Sequence, residues 1–137
     1  MQDNRFSRFV ATGAAGLIGL ASVAALPSTS ASATASSVNI NRSCASGSVA
    51  NLQVQREDTG QISIDFGVDM ARHTAGVPWK VKEARNGKVF VSTIVRTISD
   101  GSFSITRTLG RLAGTNTFVA YAVNTQTGKT CSITGLL

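Results

Sequence analysis

Val77-Pro78-Trp79-Lys80-Val81-Lys82-Glu83-Ala84-Arg85-Asn86-Gly87-Lys88-Val89-Phe90-Val91 decides the fold of this chain. Asn86-Gly87 sits between two strand-like runs. A type I′ turn needs positive φ at both central residues, which asparagine tolerates and glycine adopts freely, so this dipeptide predicts a β-hairpin. On the incoming strand Trp79 and Val81 alternate with Lys80 and Lys82. That period of two predicts the only tryptophan in the core and both ammonium groups on the opposite face.

Working outward, the chain predicts seven strands, at 49–56, 61–69, 79–85, 88–97, 102–109, 117–125 and 129–136. The clearest alternation is in 61–69, where Ile62, Ile64, Phe66 and Val68 interleave with Ser63, Asp65 and Asp69. Asp58-Thr59-Gly60, Asp100-Gly101, the stretch from Gly110 to Asn116, and Thr127-Gly128 supply turn chemistry between strands. Short β-branched segments at this spacing, with no sustained helical period, predict an all-β antiparallel sandwich. Two segments are ambiguous. In 88–98 one phase collects Val89, Val91 and Val95 and the other Phe90, Ile94 and Ile98, which predicts a bulge or a change of sheet. Arg107 falls in phase with Phe103, Ile105 and Leu109, so it must either snorkel to solvent or meet a buried acid; snorkelling is the expectation.

The beginning of the chain reads differently. Arg5 and Arg8 precede an apolar run over 10–26, and Ala31-Ser32-Ala33 offers small residues for cleavage. This predicts a secretory signal over residues 1–33, with Thr34 as the first mature residue. Removing it takes away Arg5, Arg8 and Asp3, so the net charge falls from +6 to +5. Residues 34–43 are small and polar and are expected to be a flexible leader to a single domain over 44–137. Cys44 and Cys131 are the only cysteines, and in an exported chain they are expected to form a disulfide that brings the two ends of the domain together. One histidine and no third cysteine leave too few ligands for a closed zinc site, and neither a cofactor nor a metal is expected. The expected location is extracellular, released or held at the cell wall.

Seven short strands, a tryptophan on the third, and the closing run Ala113-Gly114-Thr115-Asn116-Thr117-Phe118-Val119-Ala120-Tyr121-Ala122-Val123-Asn124 through Thr127-Gly128-Lys129-Thr130-Cys131 resemble an immunoglobulin-like β-sandwich. That closing run is similar to the last hairpin of bacterial immunoglobulin-like domains, and residues 34–137 resemble small secreted proteins of high-GC Gram-positive bacteria. Antibody-type domains tie their second strand to their sixth. Here the disulfide would join the segment before the first strand to the seventh. Apoproteins that carry enediyne chromophores are also exported sandwiches of similar length; they rely on a second disulfide, which two cysteines cannot supply.

Catalysis finds little support. His73 stands in a loop with no evident orienting acid or nucleophile. Asp65 and Asp69 lie four apart on one open strand face, where a solvated surface explains them better than a glycosidase pair. No phosphate loop or calcium loop is present. No catalytic residue is therefore assigned. A binding surface is easier to build. With Phe118, Ala120 and Ala122 inward, Val119, Tyr121 and Val123 face out beside Lys80 and Lys82, giving an apolar and aromatic strip flanked by ammonium groups. The expected function is non-enzymatic binding to a cell-wall polymer or another exported protein. The alternative is a small-molecule carrier or enzyme inhibitor with a site near Trp79 and His73. Nucleic acid is not an expected partner, because the charge is modest and no aromatic RNA signature appears.

Overall fold

A computed structural model describes residues 36–137. The expected signal, residues 1–33, and the start at Thr34 lie outside those residues. Eight strands are present: β1 (Ser37–Ser43), β2 (Val49–Arg56), β3 (Ile62–Asp69), β4 (Pro78–Arg85), β5 (Lys88–Arg96), β6 (Ser102–Leu109), β7 (Thr117–Asn124) and β8 (Thr130–Leu136). They form two four-stranded antiparallel sheets, β1-β2-β3-β6 and β5-β4-β7-β8, packed as a β-sandwich. The only helical piece among the described residues is one 3-10 turn, Ala45–Gly47, after Cys44.

The strand missing from the sequence reading is β1. Residues 37–43, expected to be leader, pair with β2 along their whole length, from Ser37 opposite Gln55 to Ser43 opposite Val49. Val38 and Ile40 pack against the core while Asn39 and Asn41 face solvent. Gly135 on β8 makes room for them: a Cβ there would lie 3.3 Å from Ile40 Cδ1 and 3.6 Å from Val38 Cγ1. Two apolar side chains are too short a pattern to announce a strand. They suffice once a turn at Cys44 folds them against β2.

The hairpin forms as the sequence predicts, with φ of 51° at Asn86 and 82° at Gly87. Trp79 is buried, with its ring centroid 5.7 Å from that of Phe103, which makes an edge-on contact with Phe66. Ile62, Ile64, Phe66 and Val68 supply one layer of the core, and Val81, Phe118, Ala120, Ala122 and Ile133 the facing layer. The ambiguity in β5 is resolved by a bulge: Glu83 pairs with Val91 but Ala84 with Val89, leaving Phe90 as the extra residue. Phe90 packs against the core and Val91 is buried, while Val89 and Ile94 are exposed. A bulge puts two successive residues opposite one, which breaks the period of two.

Cys44 and Cys131 are joined, with Cα atoms 5.3 Å apart. The bond ties the end of β1 to the second residue of β8 and so links the two sheets. Arg107 snorkels: it is exposed, and its guanidinium donates to the Thr106 carbonyl oxygen at 3.0 Å.

Candidate binding face

The outer surface of the sheet β5-β4-β7-β8 follows from strand phase. Because Trp79, Val81 and Glu83 point inward, Lys80 and Lys82 point outward, and both are exposed. On β7 the buried positions are Phe118, Ala120, Ala122 and Asn124, so Tyr121 is exposed and Val119 and Val123 are half-exposed. Register sets the neighbours across the sheet. One row runs Ile94, Lys80, Val123, Thr130, and the next runs Ser92, Lys82, Tyr121, Ser132. Strands about 4.8 Å apart bring each lysine stem alongside an apolar or aromatic side chain. Ile94, 58% exposed, extends the apolar strip beyond Lys80.

The charge on this face has one sign. Its outward-phase cations are Lys80, Lys82 and Arg96; Arg85, opposite the buried Phe118, and Lys88, opposite Arg85, fall in the inward phase at the hairpin end, and the one acid of the four strands, Glu83, is buried. Two of the cations are tied to backbone: Arg85 donates to the Gly110 carbonyl at 2.6 Å and Arg96 to the Gly76 carbonyl at 2.9 Å. The outer face of the other sheet is its opposite, an uncharged amide and hydroxyl surface interrupted by Asp65 and Asp69. There Asn51 Nδ2 donates to Asn39 and Asn41 at 2.9 Å, and Thr106 donates to Asp65 at 3.4 Å. Asp65 and Asp69 thus stand on an open face, as expected, where Asp69 lines a shallow concavity of about 420 Å³ with Asn41, Asn51 and Ser102. The molecule is electrostatically two-sided.

Compared with known proteins, the sequence matches no family model and no curated protein.

The residues singled out in the sequence separate in space. Lys80, Lys82 and Tyr121 share the outer face; Trp79 lies beneath it in the core; His73 is exposed in the β3–β4 loop, its Nδ1 2.8 Å from the carbonyl oxygen of Asp100. Asp100 is itself occupied. It accepts from the Ser102 hydroxyl at 2.6 Å and the Ser102 backbone N–H at 2.8 Å, which holds its carboxyl below the usual range. A cleft with a volume of about 610 Å³ lies at one end of the sandwich. Trp79, Arg72 and Thr74 line it, and His73 does not.

Sequence reasoning missed Glu83. It lies 1% exposed between the sheets, neither carboxylate oxygen has a hydrogen-bond partner, and desolvation pushes its pKa up to about 7, against a smaller opposing pull from Arg107. The signal was available, since the alternation that buries Trp79 and Val81 also buries position 83.

Proposed function

We propose that this chain is an exported, non-enzymatic binding module of immunoglobulin-like type that adheres to an anionic polymer of the cell wall through the outer face of β5-β4-β7-β8. One observation carries the reading: Lys82 and Tyr121 are paired and exposed on a sheet face that, among the described residues, has no carboxylate. A phosphate- or carboxylate-bearing chain would meet ammonium groups and an aromatic surface together there, while the face with Asp65 and Asp69 would repel it.

Three further observations support parts of the reading. The order β2-β3-β6 against β5-β4-β7-β8 fits an immunoglobulin-like arrangement with one strand, β1, added at the edge. The disulfide fits an oxidising compartment. The export signal read in residues 1–33 fits the same route. Secretion is tested by mass spectrometry of the culture medium for a mature N-terminus at Thr34.

Binding is tested by co-sedimentation of the oxidised domain with isolated walls, before and after chemical removal of their anionic polymers. Retention that disappears with the polymers supports the proposal. Equal retention on stripped walls assigns the contact to uncharged glycan or to wall protein instead.

A further inference from the structure

Three turns converge at one end of the sandwich and enclose the cleft: 45–48 between β1 and β2, 70–77 between β3 and β4, and 124–130 between β7 and β8. Its buried lining is half apolar, Val77 and Trp79 with Met70 half-buried beside them, and half polar, Ser48 and Asn124, and its outer residues include the exposed Arg72 and Lys129. Among the described residues that line it, none is acidic. A volume of about 610 Å³ is in the range of small-molecule sites.

The walls are fixed to one another. Cys44 and Cys131 adjoin the lining residues Ala45 and Thr130, so the disulfide clamps the first turn to the third. Lys129 Nζ donates to Ser46 Oγ across the same gap. The middle loop is held by Thr97, whose hydroxyl donates to the Thr74 carbonyl at 2.6 Å and accepts from Val77 N–H at 2.9 Å. Gly47 brings the first turn against the middle loop so closely that a Cβ on it would lie 3.3 Å from Ala71 Cβ. A concavity braced in this way is preorganised, and a ligand entering it has little wall to order. Trp79 Nε1–H, buried without an acceptor, adds an unused donor to the lining residues.

We propose that this cleft is a second site, separate from the outer face, that binds an anionic amphiphile of small-molecule size. The apolar or aromatic body rests on Trp79, Val77 and Met70, and the carboxylate, sulfonate or phosphate head meets Arg72 and Lys129. The basic lining selects the head and the buried floor selects the body.

The test uses 8-anilinonaphthalene-1-sulfonate as the anionic probe and N-phenyl-1-naphthylamine as its neutral counterpart, titrated into the folded, oxidised domain. Binding is followed by calorimetry and by quenching of Trp79, the only tryptophan. The expected result is saturable one-to-one binding of the sulfonate with Trp79 quenched. Arg72→Glu with Lys129→Glu weakens the sulfonate at least about tenfold and changes the neutral probe less than about twofold. Lys129→Glu also removes the bond to Ser46, so Gln126→Phe serves as a second variant: it narrows the cleft from an exposed position, leaves both cations in place, and weakens both probes. Lys82→Glu with Tyr121→Ala leaves both probes unchanged. Non-saturable sulfonate binding overturns the proposal. So does equal affinity in the Arg72, Lys129 variant, or loss of binding in the Lys82, Tyr121 variant.

Discussion

Lys82 on β4 and Tyr121 on β7 occupy directly opposed positions in the sheet, and both are exposed on its outer face. Sheet pairing, which needs no ligand, holds an ammonium group and a phenol ring side by side on a surface where the described residues place no carboxylate. If this pair contacts the wall polymer, Tyr121→Ala and Lys82→Glu each weaken binding by about tenfold, the charge reversal more at low salt than at high. Because both side chains point away from the core, the melting temperature shifts by no more than about 4 °C. Calorimetric titration with isolated polymer and thermal melts separate the two effects.

Glu83 makes stability depend on pH in an unusual direction. Its folded pKa of about 7 lies above its ordinary value of 4.5, because burial penalises the charged form. Between those values the folded state holds a proton that the unfolded state has released. Stability contributed by the neutral carboxyl is therefore fully present below pH 4.5 and is lost as pH rises toward 7, by about 3 kcal/mol in all. Urea unfolding at pH 5 and pH 8 should show this decline, and Glu83→Gln should flatten it by raising stability at pH 8. A wild-type domain that gains stability across this window contradicts the placement of Glu83.

Replacing Cys44 and Cys131 by serine removes the link between the end of β1 and β8. The loop it closes has a sequence separation of 87, and loss of such a bond costs about 2 to 5 kcal/mol. A lowered urea midpoint is expected, with the 3-10 turn at Ala45–Gly47 showing the largest rise in amide exchange.

Gly60 and Gly101 both have φ of +83°, yet their surroundings differ. A Cβ on Gly60 meets open space, and Gly60→Ala costs about 1 kcal/mol for the left-handed backbone alone. A Cβ on Gly101 would collide with the Arg72 carbonyl oxygen, so Gly101→Ala adds a displacement of the β3–β4 loop and costs about 2 to 4 kcal/mol. Denaturation of the two variants in parallel isolates the contact from the φ penalty.

Much of this architecture is legible in the residues. Asn86-Gly87 fixes the central hairpin, strict alternation fixes 62–68, and the two cysteines find each other. Tyr121 points outward because the small, buried Ala120 and Ala122 flank it in the opposite phase. What escapes the sequence has physical causes. β1 escapes because only Val38 and Ile40 announce it, and the phase of β5 because a bulge turns both Phe90 and Val91 toward the core. The end cleft escapes because its walls are turns far apart in the chain, brought together only by sheet packing and the disulfide. The lone histidine, His73, is not among the cleft's lining residues, while Arg72 beside it is.

Backbone amide chemical shifts of the oxidised domain, recorded during titration with a poly(glycerol phosphate) chain, test the central proposal most directly. The prediction is that shifts concentrate at Lys80, Lys82, Tyr121 and Val123 and shrink as salt is raised, with the Asp65 and Asp69 face silent. Shifts confined to the turns around Arg72 and Lys129, shifts on the acidic face, or no shifts at all would contradict it.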